Sequence, residues 1–237
     1  MAWRQGSNGQ AKRLATATAP PGPIVQRALA RKDANDDAGS STSPSEAVWP
    51  RKWCADVFDL IEWRRFEAVV EALFAQAGFE TRTQPCGADG GIDIWLHSHS
   101  QGGAAVSIVQ CKHWTSWKVG VKPVRELRGV MAAHGIARGQ FVTTSGYTTE
   151  AGTFAQKNGI MLHDTGGLLA LIASRTPAQQ RHLLEVAFEG DYGRPTCASC
   201  GIKLVERTAR VSGERFWGCA NYPRCKSRMP MKAQRRG

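Results

Sequence analysis

The feature that most restricts how this chain can fold is a pair of strand-like runs, residues 90–96 and 105–112, joined by a polar, glycine-containing connection at residues 97–104. Such a connection closes a hairpin. Folding back about Gln101 and Gly102 brings Asp93 opposite Gln110 and Cys111. Side chains alternate along a strand, so Gln110 and Lys112 share one face while Cys111 points to the other. The ribbon then gathers a carboxylate, an amide oxygen and an ammonium at one end. Removing such charges from water costs several kcal/mol unless they are paired or bind a metal. A structural Asp93–Lys112 ion pair, with Gln110 a bystander, is the plainest answer to that cost. Gly90 and Gly91 favour a site instead, because glycine lets a ligand or another backbone approach where the acid emerges.

Periodicity around the hairpin predicts a mixed α/β domain. Phe66, Val69, Val70, Leu73 and Phe74 recur at helical spacing, with Gly78 as a stop. Residues 79–84 alternate as an edge or half-buried strand. Beyond the hairpin, residues 121–133 form a second helix with Val124, Leu127, Val130 and Met131 on one stripe. A strand at 140–144, a helix at 148–158, a short strand at 160–162 and a helix at 167–173 follow. The order α-β-β-β-α-β-α-β-α implies a mixed β-sheet flanked by helices. This pattern predicts one domain over residues 53–176 and a connector over residues 177–194, in which His182, Leu183, Val186 and Phe188 can extend a helix from the core. Residues 1–52 are poor in large apolar side chains and predict disorder, since they cannot bury enough surface to offset ordering.

Charge divides the chain unevenly. The overall balance is +11, but residues 54–193 hold twelve Lys/Arg against fourteen Asp/Glu, whereas residues 194–237 hold eleven against two. A slightly acidic middle and a strongly basic end suit a catalytic unit joined to a polyanion binder. No long apolar run or signal-peptide core occurs, which predicts no membrane partner and a cytoplasmic location. Four of the seven cysteines crowd into the basic end, a usage that suits a reducing compartment.

Asp93, followed after sixteen residues by Gln110-Cys111-Lys112, resembles the active-site signature of the PD-(D/E)xK nucleases. It is similar in particular to the Mrr-type restriction endonucleases, in which Gln replaces the second acid. Trp63-Arg64-Arg65-Phe66-Glu67 resembles the family's first helix, and Ala77-Gly78-Phe79 the turn after it. Residues 140–148 are similar to its later strand and loop, and residues 160–172 to its closing strand and helix. The resemblance covers residues 53–174 and implies a restriction-endonuclease-like core, phosphodiester hydrolysis and Mg²⁺ or Mn²⁺ at the site. It assigns Asp93 and Gln110 as metal ligands with the Cys111 backbone carbonyl. Lys112 acts on the water or the transition state, and Glu67 is a third acid. Read without the resemblance, Glu67 is a solvated helix residue like Glu62 and Glu71, and Asp89 a turn former. His97 and His99 are exposed loop residues; His113 can touch phosphate. Trp114 and Trp117 are packed core or a stacking surface, and Arg125 and Arg128 a solvated face or a phosphate track.

Cys197 and Cys200, then eighteen residues, then Cys219, and Cys225 after five more, form two thiolate pairs suited to one tetrahedral Zn²⁺. A unit of residues 195–229 needs such a staple, being too small to hold itself; a redox Cys-x-x-Cys would not predict the second pair. Phe216-Trp217-Gly218-Cys219 through Cys225 resembles the four-cysteine finger at the end of bacterial type I topoisomerases, which implies a zinc ribbon that grips DNA, including single strands. Phe216, Trp217 and Tyr222 can stack on bases, though some must form the small core. Arg207, Arg210, Arg215, Arg224, Lys226 and Arg228 can follow the phosphates. Residues 230–237 continue as a basic tail.

Together these features predict a metal-dependent DNA endonuclease acting on foreign or modified DNA in a bacterial cytoplasm. Cutting both strands calls for two active sites, as in a homodimer. The rivals are a DNA-binding adaptor with an inactive nuclease fold, disfavoured by the presence of Asp93, Gln110 and Lys112, and a protein acting on RNA.

Overall fold

The computed structural model describes residues 49–84, 91–98, 103–114 and 117–231, so expectations for the N-terminal region through residue 48, for Asp89 and His99, and for the tail beyond Met231 lie outside it. A five-stranded sheet runs in the order β1 (Glu80–Thr83), β2 (Ile94–His97), β3 (Ala105–Lys112), β4 (Gly139–Thr143), β5 (Ile160–His163). The first three strands are antiparallel neighbours and the last three parallel. The predicted hairpin is β2–β3, with Ile94 opposite Val109, which sets Asp93 against Gln110. Central strands β3 and β4 are covered on both faces, so even the polar Ser107, Gln110, Gln140 and Thr143 in them are buried.

One face packs against α1 (Ala55–Leu60), α2 (Trp63–Ala75), α5 (Thr165–Ala173) and α6 (Pro177–Ala187). There Phe66, Val69, Val70 and Leu73 of α2 meet Ile94, Leu96, Val109, Cys111 and Val142. The other face packs against α3 (Val121–Ala133) and α4 (Thr149–Lys157), where Val124, Leu127 and Met131 meet Ile108 and Phe141. The helix stripes read from the sequence are these two buried seams. Helix α5 begins earlier than predicted, at Thr165, because Asp164 caps it by accepting from the Gly167 amide at 2.8 Å.

Within the stretch read as a connector, residues 177–187 form a helix that extends from the core. Thr176 and Gln179 form a capping box that starts α6, and Leu183, Ala187 and Phe188 join the same core as α2. The basic end adds a three-stranded antiparallel sheet, β6 (Leu204–Thr208), β7 (Arg215–Cys219) and β8 (Arg228–Pro230). It does not hang free. All described residues fall in one compact unit, and Thr196, just ahead of the first cysteine, is tied to the start of α2.

Candidate active site and zinc centre

The carboxyl end of β3 opens into a cavity of about 980 Å³, the place where open α/β sheets expose ligand-binding groups. Asp93, Lys112, Glu67, Arg64 and Cys111 line it together. They come from three elements: the residue before β2, the end of β3, and the first turns of α2. The Asp93 amide donates to the Val109 carbonyl at 3.0 Å, continuing the ladder, and its Oδ2 accepts from the Cys111 amide at 2.6 Å. That charge-assisted bond holds the carboxylate across the two strands.

Gln110 is buried and is not among the described residues lining the cavity. Its amide lies over Gly91, where any Cβ would sit 2.8 Å from Nε2, and Gly91 also has φ +80°. The positive φ is what calls for glycine there, since the close contact asks only the Gln110 amide to shift. The Gln110 Oε1 is buried with no hydrogen-bond partner among the described residues. A buried acceptor left alone is costly. An orphaned hard oxygen beside Asp93 fits a divalent cation's preference for oxygen ligands.

Glu67 is not a solvated helix residue. Its Oε2 accepts from Arg64 at 3.0 Å across one helical turn, and its side chain is 13 % exposed. Burial, and then the neighbouring Asp93 charge, raise its carboxyl to about 7 despite the opposing pull of Arg64. Two acids thus share one poorly solvated cleft. Burial also keeps the Cys111 thiol well above its usual range, so it stays protonated and inert.

Other sequence candidates take structural places. His97 is buried, against the reading of it as exposed: its Nδ1 bonds the Gly103 carbonyl at 2.7 Å and closes the hairpin. His113 reaches the cavity wall, but its Nε2 bonds the Phe58 carbonyl at 2.7 Å. Arg125 pairs with Glu150 at 3.4 Å on an exposed face. Trp114 and Trp117 are 39 % and 78 % exposed, so the packed-core reading fails for them. Sequence reasoning missed Arg64 and Glu62. The spacing of Arg64 to Glu67 was the available signal for the first; nothing local marks the second.

In the basic end, the Sγ atoms of Cys197, Cys200, Cys219 and Cys225 all lie within 4.8 Å of one another. Cys197 and Cys225 are 3.7 Å apart, and Cys200 and Cys219 3.4 Å. A tetrahedron with Zn–S near 2.3 Å has edges of roughly 3.8 Å, so the thiols fit a closed zinc site. The Asn221 amide donates to the Cys219 sulfur at 3.4 Å, the outer support such a ligand needs. Trp217 packs against this cluster, whereas Tyr222 stands 62 % exposed with the Arg207 guanidinium over its ring at 5.7 Å. Arg215 is tied to Glu206, while Arg210, Arg224, Lys226 and Arg228 are exposed.

A hairpin running into parallel strands, with acids and a lysine meeting at their end, defines a restriction-endonuclease-like core. Residues 58–172 match the restriction endonuclease family of Mrr catalytic domains, and residues 194–234 match the topoisomerase DNA-binding C4 zinc finger. The sheet core of this chain is thus similar to the Mrr-type restriction endonucleases, and its basic end to the topoisomerase C4 finger. The chain is 33 % identical over 128 residues to the type IV methyl-directed restriction enzyme EcoKMrr of Escherichia coli, covering 52 % of this chain and 41 % of that protein. It is 36 % identical over 109 residues to the uncharacterized protein y4cE of Sinorhizobium fredii, covering 46 % and 27 %. The chain therefore spans less than half the length of either relative. Among solved structures it is similar to the DNA modification-dependent restriction endonuclease AspBHI, with TM-score 0.43, 22 % identity, and coverage of 55 % of this chain and 38 % of that one. The MspJI restriction endonuclease in complex with a 27-mer oligonucleotide gives TM-score 0.43, 18 % identity, and coverage of 59 % and 34 %. No helix among the described residues is long and apolar enough to cross a membrane.

Proposed function

We propose that this chain is a divalent-cation-dependent endonuclease that hydrolyses phosphodiester bonds in DNA and restricts foreign or modified DNA. The observation that carries the reading is the meeting of Asp93, Glu67 and Lys112, from three elements, in one cleft. Asp93, the Gln110 Oε1 and the Cys111 carbonyl would hold Mg²⁺ or Mn²⁺. Bound there, the cation lowers the pKa of a water and screens charge gathering on the phosphate. Gln110 supplies no charge, and Glu67 restores the second negative charge that an acid at that position would carry. The Cys111 amide keeps the Asp93 carboxylate aimed. Lys112 orients the water or stabilises the developing charge. The zinc is structural, and the exposed basic residues of the finger neutralise phosphates. That EcoKMrr is a methyl-directed restriction enzyme supports modified DNA as the target. A homodimer in the cytoplasm would supply the two active sites that a double-strand cut requires.

The test is a metal-series cleavage assay on methylated, unmodified and single-stranded DNA. The unsubstituted chain cuts with Mg²⁺ or Mn²⁺, and Asp93→Ala and Lys112→Ala each lower the rate by on the order of a thousandfold. Binding without cleavage in every metal would leave a DNA-binding adaptor instead.

A further inference from the structure

Among the described residues that line the cavity, Arg64 and Lys112 face four acids, Asp59, Glu62, Glu67 and Asp93. The Arg64 guanidinium donates through Nη1 to Glu67 Oε2 at 3.0 Å and lies 4.9 Å from the centre of the Trp63 ring. Its setting is held from below by the finger. Glu62 caps α2 with a side chain only 2 % exposed. Its Oε2 accepts from the Arg64 and Thr196 amides, each at 3.1 Å; its Oε1 accepts from the Thr196 hydroxyl at 3.0 Å and from Lys203 Nζ at 3.3 Å. Lys203 also donates to the Asp191 and Arg194 carbonyls, both at 2.7 Å, and the Trp63 indole donates to the Thr196 carbonyl at 2.8 Å. A buried carboxylate with four donors fixes the orientation of what it joins. Here it fixes the turn that carries Trp63 and Arg64.

An arginine carries its donors in a planar fork that fits a phosphate as well as it fits a carboxylate. Acids outnumber lysine and arginine around this cavity, so a phosphate is repelled unless the cations turn to meet it. The Arg64 side chain is 28 % exposed and opens on the same space as Asp93 and Lys112. Its bond to Glu67 is charge-assisted and competes with any anion that enters. Glu67 cannot give its full charge to Arg64 and to a divalent cation at once. When Glu67 serves the cation, the Arg64 fork is left beside the anion that Asp93 and Lys112 receive.

Resting on the nuclease reading above, we propose that Arg64 is a further catalytic residue, which grips the phosphate to be cut and which Glu67 holds back until a divalent cation is present. The test is a double-mutant cycle on the full chain, with anisotropy on a labelled duplex at pH 8 and no divalent cation. Glu67→Gln tightens binding roughly tenfold, because the charge that detains Arg64 is gone. In a chain carrying Arg64→Gln the same change gives roughly twofold, the share due to losing one negative charge near DNA. Arg64→Lys keeps the charge without the fork and gives an intermediate gain, so it carries the test if Arg64→Gln does not fold. A gain that is equal or larger without Arg64 overturns the proposal, since a merely structural partner of Glu67 leaves the two changes additive. With Mg²⁺ and saturating DNA, Arg64→Gln lowers kcat by on the order of a hundredfold; an unchanged kcat also overturns it. Cleavage by the unsubstituted chain separates the two readings. No cutting in any metal, with the coupling intact, removes the nuclease and keeps the phosphate site. Cutting that Arg64→Gln leaves at full rate, with additive binding, does the reverse.

Discussion

The sheet core and the finger each carry a proposed metal site, and the two sites have opposite bearings on their folds. The core is held by two apolar clusters on the two faces of its sheet, and its acids sit at the rim of that finished structure. In the finger, among the described residues, the buried cluster is Cys197, Leu204 and Cys219, with Trp217 and Met229 packed beside it. Two of those three buried residues, Cys197 and Cys219, are proposed zinc ligands. The finger has too little apolar surface to offset the entropy of ordering its backbone, so its metal must do so. The core has its own apolar clusters to fold around, and its site works against folding by burying Glu67, beside Asp93, out of water. Of the two proposed metal centres, one builds its scaffold and the other is built by it.

The largest effect that breaks this symmetry is zinc removal. Structural zinc contributes about 10–16 kcal/mol in isolated fingers, far beyond what the finger's core supplies. Chelation, or Cys219→Ser, should abolish protease resistance beyond residue 195 while the remainder keeps a cooperative melting transition. Limited proteolysis with mass spectrometry, read beside a thermal melt, checks both halves. Simultaneous loss of both regions would show that the core leans on the finger as much as the finger leans on zinc.

The seam between the regions comes next in size. Glu62→Ala removes the acceptor of four hydrogen bonds and leaves the buried Thr196 groups without it, while Lys203 keeps the Asp191 and Arg194 carbonyls. Hydrogen bonds to a charged group contribute about 1.5–3 kcal/mol each, so the loss exceeds roughly 3 kcal/mol. Urea denaturation should register that loss, and hydrogen exchange should quicken at the Thr196 amide and the Trp63 indole. Unchanged protection at those two groups would mean that the finger is held by something other than Glu62.

What could be read from the sequence follows the range of the interactions. Helix α3 matches its periodic stripe from Val121 to Ala133, and the β2–β3 hairpin falls where its polar connection implied. The four thiols gather as their spacing required. These signals are local. Helix α1 was missed because six residues are too few for periodicity to show. The docking of the finger was missed because Glu62 and Thr196 are 134 residues apart and neither is unusual in its own neighbourhood. The position of Glu67 beside Asp93 depends likewise on how α2 packs across β3, which a helical stripe shows only as a buried face. His97 looked like a loop residue because its partner, the Gly103 carbonyl, is a backbone group with no mark in the sequence.

The smallest effect tests the claim that the core folds in spite of its site. The Glu67 carboxyl sits at about 7 in the folded chain against an ordinary value of 4.5. Between those values the folded state binds more protons than the unfolded state, so this group stabilises the fold fully below about pH 4.5. That contribution fades as pH rises and is gone above about pH 7. The shift corresponds to on the order of 3 kcal/mol. Glu67→Gln keeps a neutral group in place, so its stability should match the unsubstituted chain at pH 4.5 and exceed it at pH 8. Urea melts of both proteins across that range isolate the effect as a difference curve, because every other carboxylate titrates in both. A flat difference would mean that Arg64 already neutralises the Glu67 charge, and the cleft would then hold one uncompensated acid rather than two.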